Sequence, residues 1–235
     1  MRKFGFLLVM AMLAIVSCKK EQDAILFNFD VSGVNTTNRN LTVNGRNTIL
    51  ETFKMYISNI KLVTTNNDTV TISDYILYDL SEDNDLIHIN NSDETYTKLI
   101  FSIGLDSIQN SSLPETFPEE HPLSSKQGMY WPMLNYRFLV AEGTYDTLGT
   151  GTSYDGAFSL HLGRNILYHT VEYDFPNPTK NNQINIVFNF EKMFQSNAGN
   201  LDLKYNFSNH SEPAQMPQAI LLMDNFVNGI TVNLE

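Results

Sequence analysis

Apolar and polar residues alternate along most of the chain after residue 24. Ile25, Phe27, Phe29 and Val31 fall on one face of the first segment, and the same period-two pattern occurs in QINIVFNF (183–190) and LDLKYNF (201–207). Strict alternation is typical of a half-buried β-strand. The pattern predicts further strands at residues 53–62, 69–80, 96–105, 136–143 and 157–163.

Helical patterns are confined to two short segments, EKMFQSN (191–197) and PQAILLMDNF (217–226). Many strands with so few helices predict an all-β fold, an antiparallel β-sandwich or jelly-roll-like architecture with one or two short helices. No linker or shift in composition divides the segment 24–235, so we expect one domain there. Its predicted core contains Phe27, Phe29, Ile103, Phe138, Ile186 and Phe188.

The N-terminus has the features of a bacterial lipoprotein signal. Arg2 and Lys3 precede an apolar run over residues 4–16, and the only cysteine, Cys18, follows a small serine. The run is shorter than the roughly 20 residues of a transmembrane helix, so we predict a signal peptide over 1–17, lipid on Cys18 and a short tether over 18–23. The alternative is an ordinary signal peptide that leaves a free thiol. Lys19 favours export to the outer membrane, on either its periplasmic or its surface face.

The net charge and the absence of common catalytic motifs exclude several classes of function. The formal net charge of −11 argues against nucleic-acid binding, which requires a basic surface. The sequence contains no phosphate-binding loop, no G-x-S-x-G and no H-E-x-x-H. We therefore expect a protein that is not an enzyme and whose contact with the membrane comes from the lipid on Cys18.

The stretch GMYWPMLNYRF (128–138) concentrates soft side chains around the single tryptophan. If residues 129–133 are extended, Met129, Trp131 and Met133 point to one side. His161 lies on the face of its predicted strand that otherwise carries only small residues. Thioethers with an imidazole are donors that suit Cu(I). The alternative is that the methionines fill gaps in the core and that His161 is a hydrogen-bonded residue without a metal.

Four stretches, in this order, carry a resemblance to a known family: KMYISNIKL (54–62), LIFSIGLDSIQN (99–110), GMYWPMLNYRFLVAEG (128–143) and FSLHLG (158–163). Together they resemble the methanobactin-partner (MbnP-like) family, which includes copper-binding proteins and many lipoproteins. The resemblance implies a copper site that contains His161 and a tryptophan, Trp131, which a di-haem peroxidase-like partner can oxidise to kynurenine. Met133 stands where a second tryptophan is common, and Asn135 precedes Tyr136 without the usual glycine.

Two functions follow from these observations. The first is a lipid-anchored, copper-binding protein of the cell envelope, with Met129, Trp131, Met133 and His161 at or near the metal. The second is a surface β-sandwich module that binds glycan or another protein without a metal, with Trp131 as an exposed stacking platform. The exposure of Trp131 and its distance from His161 distinguish the two.

Overall fold

The computed structural model describes residues 23–35, 37–82, 84–90, 94–151, 153–180, 183–195 and 199–235. The predicted signal peptide and Cys18 lie outside these ranges. The strands are β1 (Asp23–Val31), β2 (Asn40–Val43), β3 (Arg46–Thr64), β4 (Thr69–Asp79), β5 (Leu86–Asn90), β6 (Tyr96–Ile103), β7 (Tyr130–Trp131), β8 (Asn135–Tyr145), β9 (Gly156–Gly163), β10 (His169–Thr179), β11 (Gln183–Phe188), β12 (Ser208–Asn209) and β13 (Thr231–Leu234). The α-helices are α1 (Ser107–Asn110) and α2 (Met216–Asn228).

In the described part of the chain, these strands form two sheets. The smaller sheet has the order β13-β11-β1-β5, and the larger has the path β10-β6-β3-β8-β9-β12, with β2 and β4 also paired to β3 and β7 paired to β8. Most neighbours are antiparallel, but β1 pairs with β11 and β9 pairs with β12 in parallel. Strands are the dominant regular structure of the described residues, and their arrangement in two sheets confirms the predicted all-β sandwich.

Aromatic side chains join the two sheets and α2 into one core. Phe188 of β11 stacks on Phe226 of α2 at a centroid distance of 5.9 Å and contacts Tyr78 of β4 at the same distance. Phe53 of β3 packs edge-on against Phe226 at 6.0 Å. All six residues predicted for the core are buried. Because large aromatic faces dominate core energetics, these contacts explain why the helix is held against the strands.

The predicted strand over LDLKYNF (201–207) is wrong. Asp202 accepts a hydrogen bond from the Lys204 amide at 2.9 Å, and its backbone oxygen accepts one from the Tyr205 amide, also at 2.9 Å, so the chain turns there. Leu203 is buried, whereas Tyr205 is 74% exposed and Phe207 is 45% exposed. An aspartate that bonds the backbone two residues later favours a turn over the strand that the alternation alone predicted.

Other boundaries also differ from the sequence prediction. The helical pattern at 191–197 corresponds to a 3-10 turn over Glu191–Phe194, and α2 extends the second predicted helix by one residue at its start and two at its end. Strand β10, which was not among the predicted strands, continues through Pro176 and Pro178. It lies at the end of the path in the larger sheet, and an edge strand tolerates prolines because one side of its backbone needs no partner. Within the described ranges, no helix has both the length and the apolar character needed to cross a bilayer.

Candidate metal centre

Two histidines that are far apart in sequence meet at one end of the larger sheet. Strand β12 runs parallel to β9, with Ser208 beside Ser159 and Asn209 beside Leu160. The residue that follows the last paired position of each segment is a histidine, so His210, just after β12, lies beside His161 of β9. Their Nδ1 atoms are 3.1 Å apart, and their ring centroids are 4.7 Å apart.

Buried polar residues hold His210 in place. Asn209 and Ser211, which flank it, are both fully buried. The Ser211 hydroxyl accepts a hydrogen bond from the Gly163 amide at 3.0 Å and donates one to the His161 carbonyl at 3.2 Å, which ties the two strands together. The Gln215 side chain accepts a hydrogen bond from the His210 amide at 2.8 Å. Buried polar groups bonded on several sides fix a backbone closely, so the histidine pair is preorganised.

Gly163 is required by the close approach of β8. A Cβ at this position would lie 2.7 Å from the carbonyl oxygen of Tyr136 and 3.2 Å from the Cα of Arg137. Any side chain there would push β8 away from β9. The glycine of the His-Leu-Gly sequence therefore keeps Arg137 beside His161.

Trp131 reaches the histidine pair from a tight hairpin. Strand β7 pairs Trp131 with Asn135, and residues 132–134 form the turn between them. The half-buried indole is nearly perpendicular to both imidazoles, with centroid distances of 6.2 Å to His161 and 5.9 Å to His210. The tryptophan thus packs against both histidines and is not an isolated surface platform.

The assumption that residues 129–133 are extended is wrong. The chain turns after Trp131, and the Leu134 amide donates a hydrogen bond to the Trp131 carbonyl at 2.8 Å. Met129 is 1% exposed and belongs to the hydrophobic core, whereas Met133 is 62% exposed on the turn. The two methionines do not share a side with Trp131, and their role as metal ligands stays a prediction that the geometry does not support.

An open pocket of about 270 Å³ lies over the histidine pair. Among the described residues, its lining consists of Tyr130, Trp131, Arg137, His161 and His210. The Arg137 guanidinium places Nη1 3.4 Å from Nδ1 of His161 and donates through Nη2 to the Gly128 carbonyl. Burial lowers the pKa of Arg137, but its guanidinium remains charged near neutral pH. The pocket therefore carries a fixed positive charge in a protein that is acidic overall.

Glu142 contacts the opposite edge of the His161 ring. Its Oε1 lies 2.6 Å from Nε2 of His161, and the Ser159 hydroxyl lies 3.2 Å from the same nitrogen. Burial lowers the pKa of His161 below its usual value; the hydrogen bond to Glu142 raises it, and the charge of Arg137 lowers it further. We therefore expect His161 to be neutral at pH 7, with one ring nitrogen free to bind.

In the part of the chain that the structure describes, no three His, Cys, Asp or Glu side chains are grouped to hold a metal ion. Glu142 is close to the pair but approaches Nε2 of His161, whereas His210 approaches Nδ1. The described residues thus place two imidazole nitrogens at one point.

Sequence reasoning identified part of this centre. The structure brings Trp131 and His161 together. It also places His210, Arg137 and Glu142 around the His161 ring. None of those three was predicted. His210 lies in a polar segment without periodicity, and its strand β12 is only two residues long. A local pattern cannot reveal a pairing with β9 that spans about fifty residues.

A solved structure has the same architecture. MbnP from Methylosinus trichosporium matches with a TM-score of 0.59 and 16% sequence identity, over 91% of this chain and 98% of that chain. At that identity, the likeness establishes a shared fold alone. No curated protein matches this chain.

The family is shown by the sequence itself. The profile of the MbnP family matches residues 21–216, which is most of the chain. The protein therefore belongs to the MbnP family, as the four motifs in the sequence indicated. Membership links it to copper and to methanobactin at the level of the family.

Proposed function

We propose that this protein is a non-enzymatic copper-binding protein of the cell envelope, with Nδ1 of His161 and Nδ1 of His210 as the metal donors. The observation that carries the proposal is the 3.1 Å distance between these two atoms. Metal–nitrogen bonds to imidazole are about 2.0–2.1 Å long, so one ion can contact both donors. Imidazole is a good ligand for copper, and the family link favours copper over other metals that imidazole also binds.

The charge of the pocket favours the monovalent ion. Arg137 carries a positive charge 3.4 Å from the proposed donor atom of His161. Repulsion between this charge and a bound cation rises with the charge of the cation, so Cu²⁺ and Zn²⁺ are disfavoured more than Cu⁺. This preference for Cu(I) does not depend on the thioether ligands proposed from the sequence.

The proposal is tested by metal analysis and by titration. Protein purified from its native cell envelope is expected to contain copper, and metal-free protein is expected to bind one Cu(I) per chain in competition with a chromogenic chelator under anaerobic conditions. Zn(II) and Cu(II) are expected to bind more weakly. A native protein without copper, together with no binding of either oxidation state in vitro, would remove the metal function and leave a module that binds glycan or protein.

Attachment to the membrane is proposed to depend on lipid at Cys18. The basic start, the short apolar run and the small residue before the cysteine support this processing. Changing Cys18 to Ala is expected to move the protein from the membrane fraction, predicted to be the outer membrane, to the soluble fraction on an immunoblot. Ser17→Gly, which keeps a small residue before the cysteine, serves as the matched control. Undiminished membrane association of the Cys18→Ala protein would contradict the assignment.

Trp131 is proposed to be oxidised to kynurenine by a di-haem peroxidase-like partner. The family resemblance supports this step, and the contact of the indole with both histidines places the residue beside the proposed metal. Two equivalents of hydrogen peroxide, each reduced to water with the haem partner, supply two oxygen atoms that add across the C2–C3 bond of the indole. This bond breaks, and hydrolysis by one water then releases one carbon as formate. The haem that activates the peroxide belongs to the partner, since the chain lacks a C-x-x-C-H haem attachment motif.

A further inference from the structure

We propose that Glu142 is a positioning residue that fixes the tautomer of His161, so that Nδ1 is the nitrogen this histidine offers to a metal. The inference rests on the proposed copper site for its functional meaning. Its geometry, however, concerns the metal-free protein and is tested there.

The first argument comes from hydrogen-bond direction. An ionised carboxylate can only accept hydrogen bonds, and Oε1 of Glu142 lies 2.6 Å from Nε2 of His161. The proton of a neutral His161 must therefore be on Nε2. The Ser159 hydroxyl, 3.2 Å from the same nitrogen, can also accept from it and does not oppose this arrangement.

Arg137, at the other edge of the His161 ring, favours the same tautomer. A guanidinium can only donate hydrogen bonds, and Nη1 of Arg137 lies 3.4 Å from Nδ1 of His161. A proton on Nδ1 would face this donor, whereas a lone pair accepts from it. An acceptor-only group on one edge and a donor-only group on the other thus select a single tautomer.

The state of His210 follows from that of His161. Its Nδ1 faces the His161 lone pair at 3.1 Å, so in the metal-free protein it must carry a proton and donate it. Nε2 of His210 then accepts a hydrogen bond from the Ser208 hydroxyl at 3.3 Å. A hydroxyl can reverse its role, unlike a carboxylate. For His210 to bind metal through Nδ1, its proton moves to Nε2 and Ser208 becomes the acceptor, without net release of a proton.

The two histidines therefore differ in function. His161 presents a lone pair at all times because Glu142 and Arg137 hold its proton on the far nitrogen. His210 protects that lone pair with an N–H···N hydrogen bond and changes tautomer when a cation arrives. Groups that orient a metal-binding histidine through its second nitrogen typically contribute a factor of about 10 to 100 in metal affinity.

The tautomers can be read directly by NMR of metal-free protein that carries ¹⁵N-labelled histidine, at a pH above the usual imidazole pKa of about 6.5. Long-range correlations from the ring protons identify which nitrogen of each histidine is protonated. We expect the proton on Nε2 in His161 and on Nδ1 in His210. Finding the proton of His161 on Nδ1 would overturn the inference whether or not the protein binds copper.

Variants at Glu142 separate positioning from simple structural support. Glu142→Ala is expected to give a mixture of His161 tautomers and to weaken Cu(I) binding by about 10- to 100-fold. Glu142→Gln keeps an acceptor oxygen and is expected to restore most of the single tautomer and of the affinity. Glu172→Gln, which changes a carboxylate that bonds Lys98 on another strand, is the control and should alter neither.

The outcomes distinguish this inference from the proposed function. If the wild-type protein shows the expected tautomers but binds no copper, the copper function fails and the positioning role of Glu142 stands on the NMR result. If the protein binds copper but Glu142→Ala changes neither the tautomer of His161 nor the affinity, the positioning role fails alone. Circular dichroism checks that each variant keeps the β fold.

Discussion

Replacing His210 with alanine is expected to lower the Cu(I) affinity of the protein by more than about 100-fold, because a ligand that contacts the metal contributes more than an outer group worth roughly 10- to 100-fold. His161→Ala is expected to have an effect of similar size. If both imidazoles hold the same ion, the two losses are coupled, and the double variant should lose less binding free energy than the sum of the single variants. Competition with a Cu(I) chelator measures all three affinities.

Two further variants make this experiment decisive. His169→Ala removes a histidine that does not line the pocket and is expected to leave the affinity unchanged. Met133→Leu tests the thioether ligand suggested by the sequence, and since Met133 is 62% exposed, the change should not disturb folding. A large loss of affinity in Met133→Leu with no loss in His210→Ala would reject the histidine pair as the donor set.

The sequence predicted the strands correctly where buried and exposed residues alternate along the chain. Strands β3, β4, β6, β8 and β9 lie where alternation placed them, because a strand with one buried face must repeat apolar residues with a period of two. The same rule failed at residues 201–207, where the side chain of Asp202 bonds the backbone and turns the chain. The rule also missed β10. The two prolines of this strand are tolerated because it lies at an edge of the larger sheet.

Only the part of the candidate site that lies within the quoted sequence motifs could be predicted. Trp131 and His161 were selected from their own segments, and the resemblance of short stretches to a family supported them; His210 depends on a parallel pairing between β12 and β9 that no local pattern encodes. The positions of Met129 and Met133 were misjudged because the tight turn at 132–134 separates them. Arg137 and Glu142 become informative only when their distances to the two edges of one imidazole are known.

Trp131 is expected to be recovered as kynurenine when the protein is made in cells that also make the peroxidase-like partner. The tryptic peptide over residues 127–137 contains the only tryptophan, so its mass should show the loss of one carbon and the gain of one oxygen. Protein made without the partner should retain tryptophan. Trp131→Phe removes the indole and should give an unmodified peptide in both kinds of cell.

The structure makes this residue accessible to such chemistry. Trp131 is half-buried and lines an open pocket, so an oxidant acting from outside can reach the indole or draw electrons from it, while the two perpendicular imidazoles hold the ring in place. The proposed modification would add an amine and a ketone to a site where the chain supplies two imidazole nitrogens. These groups would be additional donors beside the proposed copper. We therefore expect kynurenine-containing protein to bind Cu(I) more tightly than protein with intact Trp131. Equal affinities would show that the modification, where it occurs, does not serve the metal; an intact Trp131 in protein from cells that contain the partner would show that it does not occur.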